Sequence, residues 1–168
     1  MSAHAHGVPV AERYFEDYVD GAVFDCGQIH VEQSEIIAFA SRYDPQAFHT
    51  DPEAAAHSIY GGLIASGWHT AAMMMRLLVA KYLSGVASLG SPGIDELRWT
   101  APVRPADTLN VRVTVLEARR SRSKPDRGVV RSLIEVSNQR GEPVMSLRAI
   151  NLLLCRERPP ATTGARGL

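Results

Sequence analysis

Two periodicities divide the chain. From Ser34 to Leu83 apolar residues recur at helical spacing, whereas beyond Gly93 they alternate. Ile36, Phe39, Ala40 and Tyr43 fall at i, i+3, i+4 and i+7, the single apolar stripe of a short helix. Ser34 suits the N-cap of that helix, with Glu35 placed against the dipole in its first turn. Pro45 ends it, because a residue before proline is pushed out of the α region. Asp51 and Pro52 read as the cap and first residue of a second short helix, continued by Ala54, Ala55 and Ala56 to about Ser58. A longer helix is predicted from near Leu63 or Ile64 to about Leu83; being apolar on most faces, it should be buried. Leu109, Val111, Val113 and Val115 alternate with Asn110, Arg112 and Thr114, a strand with one buried face. Further strands are predicted over Ala22 to Val31 (one, or two short ones around Gly27), Gly93 to Thr100, Val129 to Ser137 and Pro143 to Leu154. One helix wrapped by antiparallel strands is an α+β layer arrangement.

The chemistry lies where the helices break. Asp44 stands at the end of the first, and His49 follows five residues on. In a loop the two could converge on one small polar molecule; on spacing alone, a loop-capping Asp44 and a surface His49 are the plainer reading. Gly61-Gly62 permits positive φ and close backbone approach, which serves either a tight turn or a wall against a ligand. Gly67 lies near the start of the long helix, where free N–H groups attract negative charge and a missing Cβ lets a ligand oxygen come near. Trp68 is expected to pack, and His69 is a weaker pocket candidate. Met73, Met74 and Met75 are core filler or, alternatively, lining for an acyl chain.

The segment RYDPQAFHTDPEAA, followed by YGGLIASGWHT, resembles the MaoC-like hydratase/dehydratase family of (R)-specific enoyl-CoA hydratases. The family pattern is Asp, any residue, Asn, Pro, any residue, His, and then a glycine at the head of a central helix. Asp44, His49 and Gly67 match it. Gln46 stands where Asn is usual, Ala47 where Pro is usual, and Ser66 where His is frequent. The resemblance runs from about Arg13 to Leu154 and implies a single hotdog fold over residues 13–155, an antiparallel sheet around a long central helix. It implies reversible hydration of an enoyl thioester, giving the (R)-3-hydroxyacyl product. Asp44 and His49 would hold the water, and the Gly67 amide would serve as oxyanion hole. Gln46, Gly62 and Ser66 would lie beside the substrate. Coenzyme A or an acyl carrier protein would carry the acyl group, with no metal or organic cofactor. A hotdog thioesterase and a non-catalytic acyl-thioester-binding subunit are the rival readings.

Composition narrows the partners. With 168 residues, 45% apolar and 21% charged, the chain suits one domain. Eighteen basic and 18 acidic side chains cancel, so no net field favours nucleic acid or an anionic membrane. The basic run from Arg119 to Arg127 is a solvated loop or, alternatively, a landing site for coenzyme A phosphates. Cys26 and Cys155 make no disulfide framework and are expected as buried thiols. His4 and His6 lie in an N-terminal segment, residues 1–12, expected to be flexible. That segment lacks the basic and apolar regions of a secretory signal, so a cytoplasmic protein is expected. Residues 156–168 read as a disordered tail. A single hotdog unit leaves sheet edges, and edges invite pairing, so a homodimer or larger homo-oligomer is the expected assembly.

Overall fold

The computed structural model describes residues 8–157; His4, His6 and nearly all of the expected tail lie outside them. Five strands form one antiparallel sheet: β1 (Val23–His30), β2 (Gly93–Trp99), β3 (Thr108–Arg120), β4 (Arg127–Ser137) and β5 (Pro143–Leu154). Their order is β1-β3-β4-β5-β2, which leaves β1 and β2 at the two edges. Between β1 and β2 come four helices: α1 (Gln33–Tyr43), α2 (Ala47–Thr50), α3 (Pro52–Ala56) and α4 (Gly67–Lys81). The alternating residues Leu109, Val111, Val113 and Val115 of β3 face inward with Val130, Ile134 and Val136 of β4. Against them α4 places Met73, Met74 and Leu78, and Tyr82 follows at its end. This helix held in a curved antiparallel sheet is the hotdog arrangement.

The C-terminal end of α4 is fixed by side chains from the start of the chain. Arg13 donates to the carbonyls of Lys81 and Tyr82, and the Tyr18 hydroxyl donates to the Tyr82 carbonyl at 2.7 Å. A cation at a helix C-terminus meets the negative end of the dipole, so the contact is favourable beyond its hydrogen bonds. Arg13 also donates to the Val8 carbonyl, and the Gly85 N–H donates to Val10. The carbonyls of Val8 and Val10 are thus both bonded. Both cysteines are buried thiols, and burial pushes Cys26 up to about 11. Among the described residues no helix is long and apolar enough to cross a membrane.

Two helix starts differ from the sequence reading, and the choice it left open at Gly27 is resolved. α1 starts at Gln33 with Glu32 as its cap, so Ser34 sits inside the helix and caps nothing. Gly27, at φ 82°, marks a bulge within one strand rather than a break between two. Most consequential is α4, which starts at Gly67 and not near Leu63. Ile64 and Ala65 remain extended because their N–H groups donate to the carbonyls of Phe48 and Val103. Ser66 then caps the helix by accepting from the Trp68 N–H. Nor is α4 buried all round: Trp68, Ala72, Met75 and Val79 form an exposed apolar stripe. Met75 is thus surface rather than core filler.

Candidate active site

The turn leaving α1 builds the acidic half of the site. Asp44 ends α1, its N–H donating to the Ala40 carbonyl at 2.8 Å. Pro45 prevents continuation, and the chain bends so tightly that the Gln46 N–H returns to the Asp44 carbonyl at 2.8 Å. The Gln46 side-chain amide then donates to Asp44 Oδ1 at 2.7 Å. From the head of α4 the Ser66 hydroxyl donates to Asp44 Oδ2, also at 2.7 Å. Hydrogen bonds to a carboxylate favour its charged form. The bond from Ser66, and after it the one from Gln46, hold the Asp44 carboxyl below its ordinary range.

His49 lies in α2 rather than in a loop, and it is only 5% exposed. Its Nδ1 sits 2.8 Å from the Ile64 carbonyl oxygen. A carbonyl can only accept, so in the neutral ring Nδ1 carries the hydrogen and Nε2 presents a lone pair. That lone pair faces Asp44 Oδ2 at 3.4 Å. The two acceptors cannot bond to one another, but together they can accept both hydrogens of one small donor.

Gly67 is the first residue of α4, and its N–H makes no hydrogen bond among the described residues. Its carbonyl accepts from the Trp99 indole Nε1–H at 2.9 Å. The indole lies flat against the Gly67 Cα, in the space that a Cβ would take. The missing side chain is therefore required by Trp99, whatever a ligand gains from it. Trp68 stands edge-on to Trp99, with ring centroids 5.3 Å apart.

These groups border one cavity of about 490 Å³. Asp44, Gln46, His49 and Gly67 line it, joined by Phe48, Tyr60, Trp68, Trp99 and residues 100–103. Ser66, with no exposed surface, is held behind the wall, where its hydroxyl is committed to Asp44 and to capping α4. Gly62 is not in the lining: its φ of 156° suits glycine, and a Cβ there would stand 3.3 Å from the Arg104 guanidinium. His69 is likewise outside the lining, buried and stacked on Phe39 with 4.9 Å between ring centroids. Trp68, expected as packing, is 57% exposed at the cavity edge. The basic run forms the β3–β4 hairpin at the far end of the sheet. Trp99 of the cavity lining pairs with Met145, level with Val136 and Val111, whereas Arg120 pairs with Gly128 nine residues further along β3, roughly 30 Å away. Arg120 meets Glu16, and Arg127 meets Asp126. Within one chain, this run is no landing site beside the cavity.

Phe48, Tyr60, Trp99 and the Ile64 carbonyl escaped the sequence reading. A backbone carbonyl carries no residue signal, and Trp99 reaches Gly67 across 32 residues. Among the described residues there is no cluster of three or more metal-ligating side chains.

A family model, the MaoC like domain, matches residues 19–137. The chain belongs to the MaoC-like dehydratase family. A MaoC-like dehydratase from Rhodospirillum rubrum shares 44% of its sequence, with a TM-score of 0.81 over 87% of this chain and 99% of that one. The protein YdeM of Bacillus subtilis (strain 168), itself uncharacterized, is 29% identical over 125 residues, 74% of this chain and 87% of its own length. The R-hydratase PhaJ1 from Pseudomonas aeruginosa, in its unliganded form, shares the fold at 24% identity. Its TM-score is 0.68 over 90% of this chain and 96% of that one.

Two outcomes are expected of this MaoC-like site. Ser66→Ala removes the main hydrogen bond that depresses Asp44. Charge stabilisation by a depressed carboxyl is present above the ordinary carboxylate pKa and is lost as pH falls through the folded value. The Asp44 titration followed by carbon NMR should therefore move to higher pH in Ser66→Ala, and an unchanged midpoint would refute the assignment. Gly67→Ala should displace Trp99 and destabilise the fold by about 1–3 kcal/mol in denaturant titration. Adding Gly67→Ala to a Trp99→Ala background should cost distinctly less, because the clash has gone.

Proposed function

We propose that this protein catalyses reversible hydration of a trans-2-enoyl thioester. The observation that carries the proposal is the pair of acceptors, Asp44 Oδ2 and His49 Nε2, 3.4 Å apart on a cavity that is also lined by Gly67, whose N–H is unbonded among the described residues. One water donating to both acceptors would turn its oxygen lone pairs toward the substrate. The Gly67 N–H would bond the thioester carbonyl oxygen, where negative charge develops as the double bond is attacked. The water oxygen then bonds to C3, and the electrons of the C2–C3 double bond move toward the carbonyl. A proton removed from the water by the pair is delivered to C2, so hydroxyl and hydrogen are added with no net change at the enzyme. In reverse the pair takes the C2 proton and returns it to the departing hydroxyl. His49 fits the proton-carrying role because its Nδ1–H is anchored on Ile64, leaving Nε2 free to gain and lose a proton. Asp44, kept ionised by Ser66 and Gln46, would stabilise the imidazolium formed in passing.

The R-hydratase name of the Pseudomonas aeruginosa neighbour supports the (R)-3-hydroxyacyl product, and an acyl chain on coenzyme A or an acyl carrier protein is the substrate class. The assembly we propose is a homodimer. On the β2 edge Ile94 is 48% and Trp99 45% exposed, and α4 presents its apolar stripe of Trp68, Met75 and Val79. A second copy laid along β2 would pair the strand and cover apolar surface together.

His49→Ala and Asp44→Asn should each leave the circular dichroism spectrum intact and lower crotonyl-CoA hydration at least about a hundredfold, read as loss of the enoyl absorbance. Near-native turnover by either variant would refute the pair, and release of coenzyme A thiol by wild type would favour a thioesterase. Size-exclusion chromatography should give a dimer that Val79→Glu shifts toward monomer. A monomeric wild type would refute the proposed assembly.

A further inference from the structure

Arg104 is a partly buried arginine whose guanidinium is largely unused. Arg104 is not itself in the cavity lining, but it follows Val103 and its Nη2 donates to the Tyr60 carbonyl at 2.6 Å, and both of those residues line the cavity. The guanidinium thus ties the chain that follows Val103 to the carbonyl of Tyr60. A guanidinium has five N–H donors, and this carbonyl is the one acceptor it has among the described residues. The carboxylate nearest in sequence, Asp107, is already committed. Its Oδ2 accepts the Arg104 backbone N–H at 2.8 Å, and its Oδ1 accepts from Gln139 at 2.9 Å. A Cβ at Gly62 would stand 3.3 Å from the Arg104 Nη1, so the guanidinium lies close against that turn. Arg13, by contrast, is spent on carbonyls, and Arg120 and Arg127 face carboxylates.

A partly desolvated cation with spare, fixed donors beside a substrate cavity matches a phosphate oxygen pair better than any neutral group. We propose that Arg104 binds a phosphate of the substrate's carrier arm and so selects phosphate-bearing thioesters. This rests on the thioester-hydration reading above. The phosphate is either the one on the pantetheine arm, shared by coenzyme A and acyl carrier protein, or one on the nucleotide of coenzyme A.

The test compares three crotonyl thioesters: of coenzyme A, of phosphopantetheine, and of N-acetylcysteamine, which has no phosphate. Arg104→Ala should raise KM for crotonyl-CoA about tenfold or more with kcat within twofold, and leave the N-acetylcysteamine ester unchanged. Arg104→Lys should recover part of the loss. Arg104→Gln, which keeps an amide donor for Tyr60 but no charge, should behave like Arg104→Ala. A KM rise for phosphopantetheine as well as coenzyme A places the contact on the arm phosphate; a rise for coenzyme A alone places it on the nucleotide. Equal loss on all three thioesters means that Arg104 only staples the 60–62 turn, and no change on any means that it touches no phosphate; either overturns the proposal. If wild type hydrates none of them, the hydratase reading falls, and calorimetry with coenzyme A itself decides this one. Tenfold weaker binding by Arg104→Ala supports it, and equal binding, or none by wild type, overturns it.

Discussion

The Ser66 hydroxyl joins the two halves of this site. It accepts the Trp68 N–H and so fixes where α4 begins, and it donates to Asp44, 22 residues earlier in the chain. One oxygen therefore sets both the position of the free Gly67 amide and the orientation of the carboxylate. Because Ser66 is fully buried, water cannot substitute for either bond at little cost. The first turn of α4 also carries the positive end of a 15-residue helix dipole, which favours an ionised Asp44 beside it. Charge state and geometry of the acid thus have a common origin in the cap of one helix.

Around that joint the fold supplies rigidity. α4 is gripped at its far end by Arg13 and Tyr18 and along one face by the sheet, so its head cannot drift independently. Ala65 is tied to Val103 and Ile64 to Phe48 by backbone hydrogen bonds, which places the Ile64 carbonyl where His49 needs its partner. A histidine tautomer is therefore decided by a loop that stays extended. Had α4 begun at Leu63, as apolar periodicity alone suggested, that carbonyl would have pointed along the helix and been consumed there.

Much of this was legible in the residues. Alternation in β3, β4 and β5 survives in the structure because one face of each strand is buried, and only there does period two carry information. Pro45 and the Asp51-Pro52 pair marked helix boundaries through local sterics and capping, and both hold. Legibility failed where the cause was tertiary. β3 runs on to Arg120 because, past a register shift at Leu116, β4 pairs with Glu117 to Arg120, not because those residues favour a strand. Gly62 was left between a tight turn and a ligand wall, and Gly67 was read as an opening toward a ligand. Gly62 has a positive φ of 156°, which side chains rarely adopt, and at Gly67 the indole of Trp99 takes the space of a Cβ. The sequence shows that a Cβ is missing, but not what stands in its place.

The Trp99 contact bears on how far the site is independent of assembly. Trp99 is the last residue of β2, an edge strand with exposed apolar side chains, and its indole both bonds the Gly67 carbonyl and covers the Gly67 Cα. Any shift of the edge strand is therefore passed to the first peptide units of α4, since a flat ring against a backbone has little room to yield. The Gly67 amide belongs to those units. A lone protomer would hold it by one half-exposed indole, whereas a strand paired along β2 would fix Trp99 from both sides. On this geometry, pairing at the edge would stiffen the very amide that the proposed reaction places against the thioester carbonyl.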